Sequence, residues 1–359
     1  MRFLIPIALL CAVPAFAATE RAGDIVDGTP VVDRLDVRDL DAGQVHRFWF
    51  RAGDTAAGQG WYVPVIVVRG AQPGPRLMLT AGVHGDELSG IAVLHRLAES
   101  VSPANLAGTL VMIPGLNTPG LLNQTRGFTP GFGVDDNLNR LMPGDEKATD
   151  PAKRYAGRLW HRLMRPNADL LVDLHTQSRG TAYPMYAFVE TKAARAIAEQ
   201  FAPDIIKLDT GEKGTIENEM NRAGVPAITL ELGRPEVFDE TMIARAVDGA
   251  KRLMVAQKML PADTPLAIAV STPFVANSIM PVRTTRGGYA TLAVALGDDV
   301  TAGQLLATVT DPFGRAIERI VAPRGGRIGT IATDPTREAG DMVVRIVWAS
   351  DDPKCAAGC

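Results

Sequence analysis

From about residue 60 onward, short apolar runs alternate with longer stretches in which apolar residues recur every three or four positions. The runs Tyr62–Val68, Arg76–Thr80, Leu110–Pro114, Asp169–Leu174 and Ala227–Leu232 are bounded by Gly, Pro or polar residues and predict strands. Between them Leu88–Ser100, Pro151–Met164, Lys192–Phe201 and Glu240–Gln257 carry the helical period. Such alternation predicts an α/β sheet with helices on both faces. Residues 18 to about 60 are polar and rich in Gly and Asp, with alternating apolar positions around Val45, Phe48 and Phe50, and read as a β-rich lead-in. Near Pro261–Pro265 the pattern changes to many short strands with frequent Gly and no long helical period. Residues 61–260 are therefore expected to form the chemical domain, 265–350 an all-β barrel-like domain, and 351–359 a tail.

The first 17 residues, MRFLIPIALLCAVPAFA, combine one Arg, an apolar run and a closing Ala-Phe-Ala. Small residues at the −3 and −1 positions suit a signal peptidase, so cleavage is expected after Ala17 and the mature chain is expected in a periplasmic or secreted location. No later stretch is apolar for about 18 residues, so no membrane association is expected after cleavage. Export would put Cys355 and Cys359 in an oxidising compartment, where the tail CAAGC is expected to close a small disulfide loop; a metal site on the tail is the alternative.

Composition narrows the possibilities. The chain has 359 residues, of which 46% are hydrophobic and 21% charged, enough to bury a substantial core. A net charge of −3 gives no footprint for a polyanion, so no nucleic-acid partner is expected. Three cysteines are too few for a disulfide scaffold or a Cys-rich zinc module. The segments Gly297–Val309 and Ala322–Ile331 resemble turns of biotinyl- and lipoyl-type barrels, but residues 265–350 contain no lysine to modify. None of the seven serines sits in a G-x-S-x-G turn, and no Gly-rich phosphate loop follows a strand.

The candidate chemistry lies at strand ends. His84 stands in TAGVHGDELSG directly after the strand RLMLT, His175 at the end of DLLVDLHT, and Glu231 near the end of ITLELG. In open α/β sheets functional groups gather beyond the carboxyl ends of the strands. His84 and Glu87, two residues apart in the gap between them, can reach one ion from a single turn, and His175 completes a His₂Glu set of the kind found in catalytic zinc sites. Gly82 and Gly85 permit the tight backbone that such a turn needs. Asp86 and Asp173 are both available to orient an imidazole, and the sequence does not choose between them. His46, His95 and His161 have no comparable setting; the last two read as surface or interhelical residues. Tyr183, Tyr186 and Tyr289 are candidates to approach a substrate, with nothing to select among them. The run RGFTPGFG reads as a surface loop or a cover over the pocket.

Taken in order, GVHGDE, NLNR, VDLHT and ITLELG resemble the succinylglutamate desuccinylase/aspartoacylase family of the zinc carboxypeptidase superfamily, over roughly residues 60–350. The resemblance implies a zinc-carboxypeptidase-like mixed sheet and a C-terminal β domain. It implies one Zn²⁺ held by His84, Glu87 and His175, with Glu231 as general base and acid. Asn139 and Arg140 match the family's substrate-carboxylate pair, and Arg126 its second arginine, which polarises the scissile carbonyl. The Gly-rich stretch from Gly127 to Asp136 sets Arg126 farther from Asn139 than in aspartoacylase, and Asn137 stands where the family often has Asp. The implied activity is zinc-dependent removal of an acyl group from a small carboxylated N-acyl amino acid. The alternative is an exported metallocarboxypeptidase acting on peptides or cell-wall fragments. Oligomeric state is not set by the sequence.

Overall fold

A computed structural model describes residues 18–128 and 136–359. The expected leader, and residues 129–135 of the Gly-rich run, lie outside the described residues. Twelve strands occupy the first three-quarters of the chain: β1 (Glu20–Val26), β2 (Thr29–Arg34), β3 (Gln44–Asp54), β4 (Gly60–Arg69), β5 (Gln72–Ala81), β6 (Ala107–Pro114), β7 (Leu170–His175), β8 (Thr181–Ala182), β9 (Met185–Val189), β10 (Ile205–Leu208), β11 (Ala227–Leu232) and β12 (Phe274–Ala276). All but β8 join one mixed sheet of 11 strands in the order β1-β2-β3-β4-β6-β5-β7-β11-β9-β10-β12. The lead-in strands thus extend the main sheet rather than standing apart.

At the centre of this sheet β5, β7 and β11 run parallel and adjacent. Thr80 pairs with Asp173, and His175 with Glu231, so the carboxyl ends of three strands finish side by side. The alternation along β5 explains why these strands read as unbroken apolar runs. Leu77 and Leu79 enter one core, with Val172, Ile228 and Leu230, while Met78 enters another, with Leu171 and Ala227. A sheet buried on both faces takes apolar side chains at most positions, and Thr80, Asp173, Thr229 and Glu231 are the buried polar exceptions.

The first core is closed by α1 (Ser89–Ser100), α4 (Lys192–Phe201) and α6 (Glu240–Ala256), through residues such as Leu94, Phe201 and Leu253. The second is closed by α3 (Pro151–Leu159), its continuation as a π turn through Met164, and α5 (Ile216–Arg222). A further short helix, α2 (Thr118–Asn123), packs against β4. Asp150, Thr191, Thr215 and Asp239 cap α3, α4, α5 and α6 by accepting backbone N–H bonds, which is why polar residues mark those starts.

The C-terminal part is antiparallel. Strands β13 (Ser278–Arg283), β15 (Asp299–Val300), β18 (Gly326–Ala332) and β20 (Met342–Trp348) form one sheet, to which β8 adds across β18. Strands β14 (Gly288–Leu292), β16 (Leu305–Thr310), β17 (Ala316–Val321) and β19 (Thr336–Arg337) form a second. The pairing of Ile331 with Ala182 ties this part to the loop that follows His175. Cys355 and Cys359 are disulfide-bonded. Among the described residues no helix is long and apolar enough to cross a membrane.

Candidate active site

The turn after β5 carries the first two functional side chains. Gly82 adopts φ +71°, the left-handed region that favours glycine. Gly85 packs so closely on α2 that a Cβ there would lie 2.0 Å from the Gly120 carbonyl carbon. Its N–H donates to the Thr125 carbonyl at 2.9 Å, pinning the turn. Both glycines are thus required for the backbone path that aims His84 and Glu87 inward.

Glu87 lies between two imidazoles, with Oε1 at 2.8 Å from His84 Nδ1 and Oε2 at 2.9 Å from His175 Nδ1. All three side chains are buried, and one ligand atom from each lies within 4.8 Å of the others. The far nitrogens are also engaged. His175 Nε2 meets Asp173 Oδ2 at 2.8 Å, and His84 Nε2 meets Asn137 Oδ1 at 3.0 Å. In the metal-free chain each Nδ1 faces a Glu87 oxygen, which can only accept; with a cation bound, donation outward from Nε2 would leave each Nδ1 as the lone pair a metal requires. Asp173 is held in turn by the Thr80 hydroxyl, which donates to Oδ1 at 2.6 Å. The choice the sequence left open therefore falls on Asp173. Asp86 instead accepts from Ser178 Oγ and from the Arg179 N–H.

Burial works against the charge on Glu87, yet His84 and His175 outweigh it and hold the carboxyl well below its usual range. Burial lowers the pKa of His84, with Arg126 and His175 adding to the effect, while Glu87 opposes it. Burial would also lower His175, but Asp173 and Glu87 together raise it. Once a cation replaces the proton that His175 favours, two imidazoles and one ionised carboxylate, backed by a second carboxylate, would form a donor set that fits a divalent cation.

Glu231 stands on the strand beside His175 and is 5% exposed. Gln177 Nε2 donates to its Oε1 at 3.2 Å, while its Oε2 is buried with no hydrogen-bond partner. Burial pushes this carboxyl up to about 8; His175 opposes the rise and Glu87 adds to it.

Arg126 joins the cluster. Its Nη1 donates to Glu87 Oε1 at 3.1 Å and to Ser178 Oγ at 2.5 Å, and lies 3.2 Å from His84 Nδ1. Asn139 is buried, with Oδ1 accepting the Ile216 N–H at 2.8 Å, so only its amide nitrogen remains to donate elsewhere. Arg140 Nη1 donates to the Asn139 carbonyl at 2.7 Å, and its Nη2 pairs with Glu212 at 2.6 Å. All seven candidate residues line one cavity of about 400 Å³, in the range of small-molecule sites.

The cavity also has walls beyond these seven residues. Tyr183 lines it, whereas Tyr186 is buried beneath and Tyr289 lies on the surface. Ile279 and Pro281 of β13 and Arg345 of β20 close one side. Pro281 pairs directly with Arg345 across the strands, and Arg345 Nη1 donates to the Tyr183 hydroxyl at 2.9 Å. The sequence signal for Arg345 was a single charge in the apolar strand MVVRIVW, too little to assign it to a pocket 170 residues away in the chain from His175. His95 and His161 are exposed, as their helical settings suggested, and His46 lies outside the cavity.

The model of the succinylglutamate desuccinylase/aspartoacylase catalytic domain matches residues 73–256, just over half of the chain. The chain belongs to that family. It is 26% identical over 275 residues to the N-alpha-acetyl-L-2,4-diaminobutyric acid deacetylase of Halomonas elongata, a match that covers 72% of this chain and 77% of that protein. It is 24% identical over 203 residues to the succinylglutamate desuccinylase of Yersinia pestis, covering 52% of this chain and 60% of the relative. The product-bound structure of the ectoine utilization protein EutE (DoeB) from Ruegeria pomeroyi superposes with a TM-score of 0.74 at 25% identity, over 87% of this chain and 97% of that one. The family is one of amide-bond hydrolases, the enzyme class expected from the sequence, and the mixed α/β sheet with antiparallel C-terminal sheets agrees with its fold.

Proposed function

We propose that this hydrolase is a zinc-dependent deacylase that cleaves the amide bond of small carboxylated N-acyl amino acids. The observation that carries this reading is the His84–Glu87–His175 group, within 4.8 Å and one strand away from a buried carboxylate with an unpartnered oxygen. His84, Glu87 and His175 would hold the ion. Zinc suits two imidazoles and a carboxylate, and when bound it supplies Lewis acidity and lowers the pKa of water.

The chain's own residues do the rest. Glu231 accepts a proton from the attacking water and returns it to the leaving amine, a task that favours a carboxyl whose pKa lies near the working pH. Arg126, in contact with Glu87 and His84, donates toward the carbonyl oxygen as negative charge builds there. Asn139 and Arg140 hold the substrate carboxylate. Arg140 can exchange its exposed partner Glu212 for that carboxylate at little cost, since a solvent-exposed ion pair is weak. The enclosing wall from β13 and β20 favours small substrates over chains. Export is part of the same proposal, supported by the leader sequence and by the Cys355–Cys359 bridge.

A product-resolved mass-spectrometric assay tests this. The zinc-loaded protein and a chelated control are given N-acetyl, N-succinyl and longer N-acyl amino acids together with short peptides bearing free C-termini. Chelator-sensitive release of a free acid and an amino acid is expected. Release of single C-terminal residues from the peptides, with the acyl amino acids untouched, would replace the deacylase by a carboxypeptidase. The relatives are named for substrates of opposite side-chain charge, succinylglutamate and acetyl-diaminobutyrate, so family membership does not fix the amino-acid side.

A further inference from the structure

The cavity continues past Glu231. Along β11, Thr229 follows on the same face, and the wall runs on through Phe188 and Asp209 to Glu217 in the first turn of α5. Glu217 is 8% exposed, lines the cavity, and has an Oε2 with no hydrogen-bond partner. Neighbouring Glu190 is in the same condition at Oε1, while its Oε2 accepts from Asn218 Nδ2 at 3.0 Å. The charges that act most on Glu217 are those of three carboxylates, Glu190, Asp173 and Asp209, and one imidazole, His175. The arginines that line the cavity already have partners: Arg126 pairs with Glu87, Arg140 lies 2.6 Å from Glu212, and Arg345 donates to the Tyr183 hydroxyl.

A buried carboxyl with no donor and with like charges around it is an unfavourable arrangement, and burial with Glu190 pushes the Glu217 carboxyl well above its ordinary range. A group of this kind that faces a cavity is complementary to a positive ligand. Two observations indicate which. Among the described residues the one group of three or more ligands is His84, Glu87 and His175, and Glu217 is not a member of it. Glu217 is also tied to the substrate-carboxylate pair, because Asn139 Oδ1 accepts the N–H of Ile216, the residue next to it. Groups that contact Asn139, Arg140 and Glu217 therefore belong to one end of the substrate, the amino-acid end.

We propose that Glu217 is a specificity-determining residue that receives an ammonium or guanidinium group on the side chain of the amino acid, so that the preferred substrates are N-acyl diamino acids or their guanidino counterparts. This rests on the deacylase reading. In the closed cavity the cation and Glu217 form a desolvated pair, and removal of one partner of such a pair costs roughly 30-fold or more in recognition.

The test compares isosteres. Nα-acetyl-L-2,4-diaminobutyrate and Nα-acetyl-L-norvaline differ only by an ammonium in place of a methyl group. With zinc-loaded enzyme, kcat/KM is expected to favour the diaminobutyrate at least about 30-fold, and Glu217→Gln is expected to bring the ratio of the two substrates close to one. Equal rates on the two substrates in the wild type, or a preference that survives in Glu217→Gln, would overturn the assignment. Binding of the free amino acids, 2,4-diaminobutyrate against norvaline, read by calorimetry on the same proteins, needs no turnover. Silence in the activity assay combined with Glu217-dependent binding of the diamino acid would sink the deacylase reading and keep the cation site; silence in both would sink the site. If Glu217→Gln does not fold, Glu217→Asp takes its place. The shortened carboxylate is expected to move the preference toward the longer Nα-acetyl-L-lysine, and an unchanged rank order would count against Glu217.

Discussion

Glu231 is held in a state that folding alone would not favour. Its carboxyl is raised from an ordinary 4.5 to about 8, so the folded chain binds that proton more tightly than the unfolded chain does. Stability therefore falls as pH rises between those two values, the reverse of the usual salt-bridged carboxylate. In the chelated protein Glu231→Gln is expected to gain stability over wild type between pH 5 and pH 8, read as a widening gap in Tm. A gap that stays constant across that range would mean that Glu231 is not ionising against its surroundings. Arg140 calls for a different readout. If it binds the substrate carboxylate equally in the ground and transition states, Arg140→Ala raises KM about tenfold or more with little change in kcat. A matching loss on substrates that lack the carboxylate would contradict that role. These residues were legible in the sequence because each stands at a strand end or in an ordered motif. Gln177 and Glu217 were not, and Asn137 stood out only as a departure from the family pattern, because their partners come from distant elements: His84 for Asn137, Glu231 for Gln177, and the end of the cavity for Glu217.

At the level of elements, the site is a consequence of register. Adjacent parallel strands β5, β7 and β11 bring their carboxyl ends level, which places the His84–Glu87 turn, His175 and Glu231 within one cluster. The sequence located these three strands because both faces are buried and the apolar runs are unbroken. It missed β9 and β10, whose runs are short and carry Tyr186 and Lys207 among apolar residues, and α5, which is only 7 residues long. The turn after β5 depends on contact with α2, which the hydrophobic pattern did not mark at all. Gly85→Ala would drive a methyl group into Gly120 and displace the turn. Loss of metal affinity is expected, together with destabilisation of roughly 1–3 kcal/mol, measured by metal titration and by denaturant unfolding. Wild-type affinity in that variant would show that the turn tolerates a shift of its backbone.

On the scale of the whole molecule, the cavity belongs to both parts of the chain. The main sheet provides the floor, while Ile279, Pro281 and Arg345 from the antiparallel C-terminal sheet form a wall, held in place where β8 pairs with β18. The change of pattern near residue 261 announced that β-rich part but not its position, since the pairing of strands so far apart in sequence leaves no local trace. The account as a whole stands on one ion at His84, Glu87 and His175 with Glu231 working beside it. The most direct measurement is therefore a titration of the chelated protein with zinc, in which bound metal and deacylase activity are followed on the same sample for wild type and Glu231→Gln. Activity is predicted to rise in proportion to metal up to one equivalent per chain and then stop, with Glu231→Gln taking up the same equivalent and turning over no substrate. Full activity in the metal-free chain, or near wild-type turnover by Glu231→Gln, would contradict it.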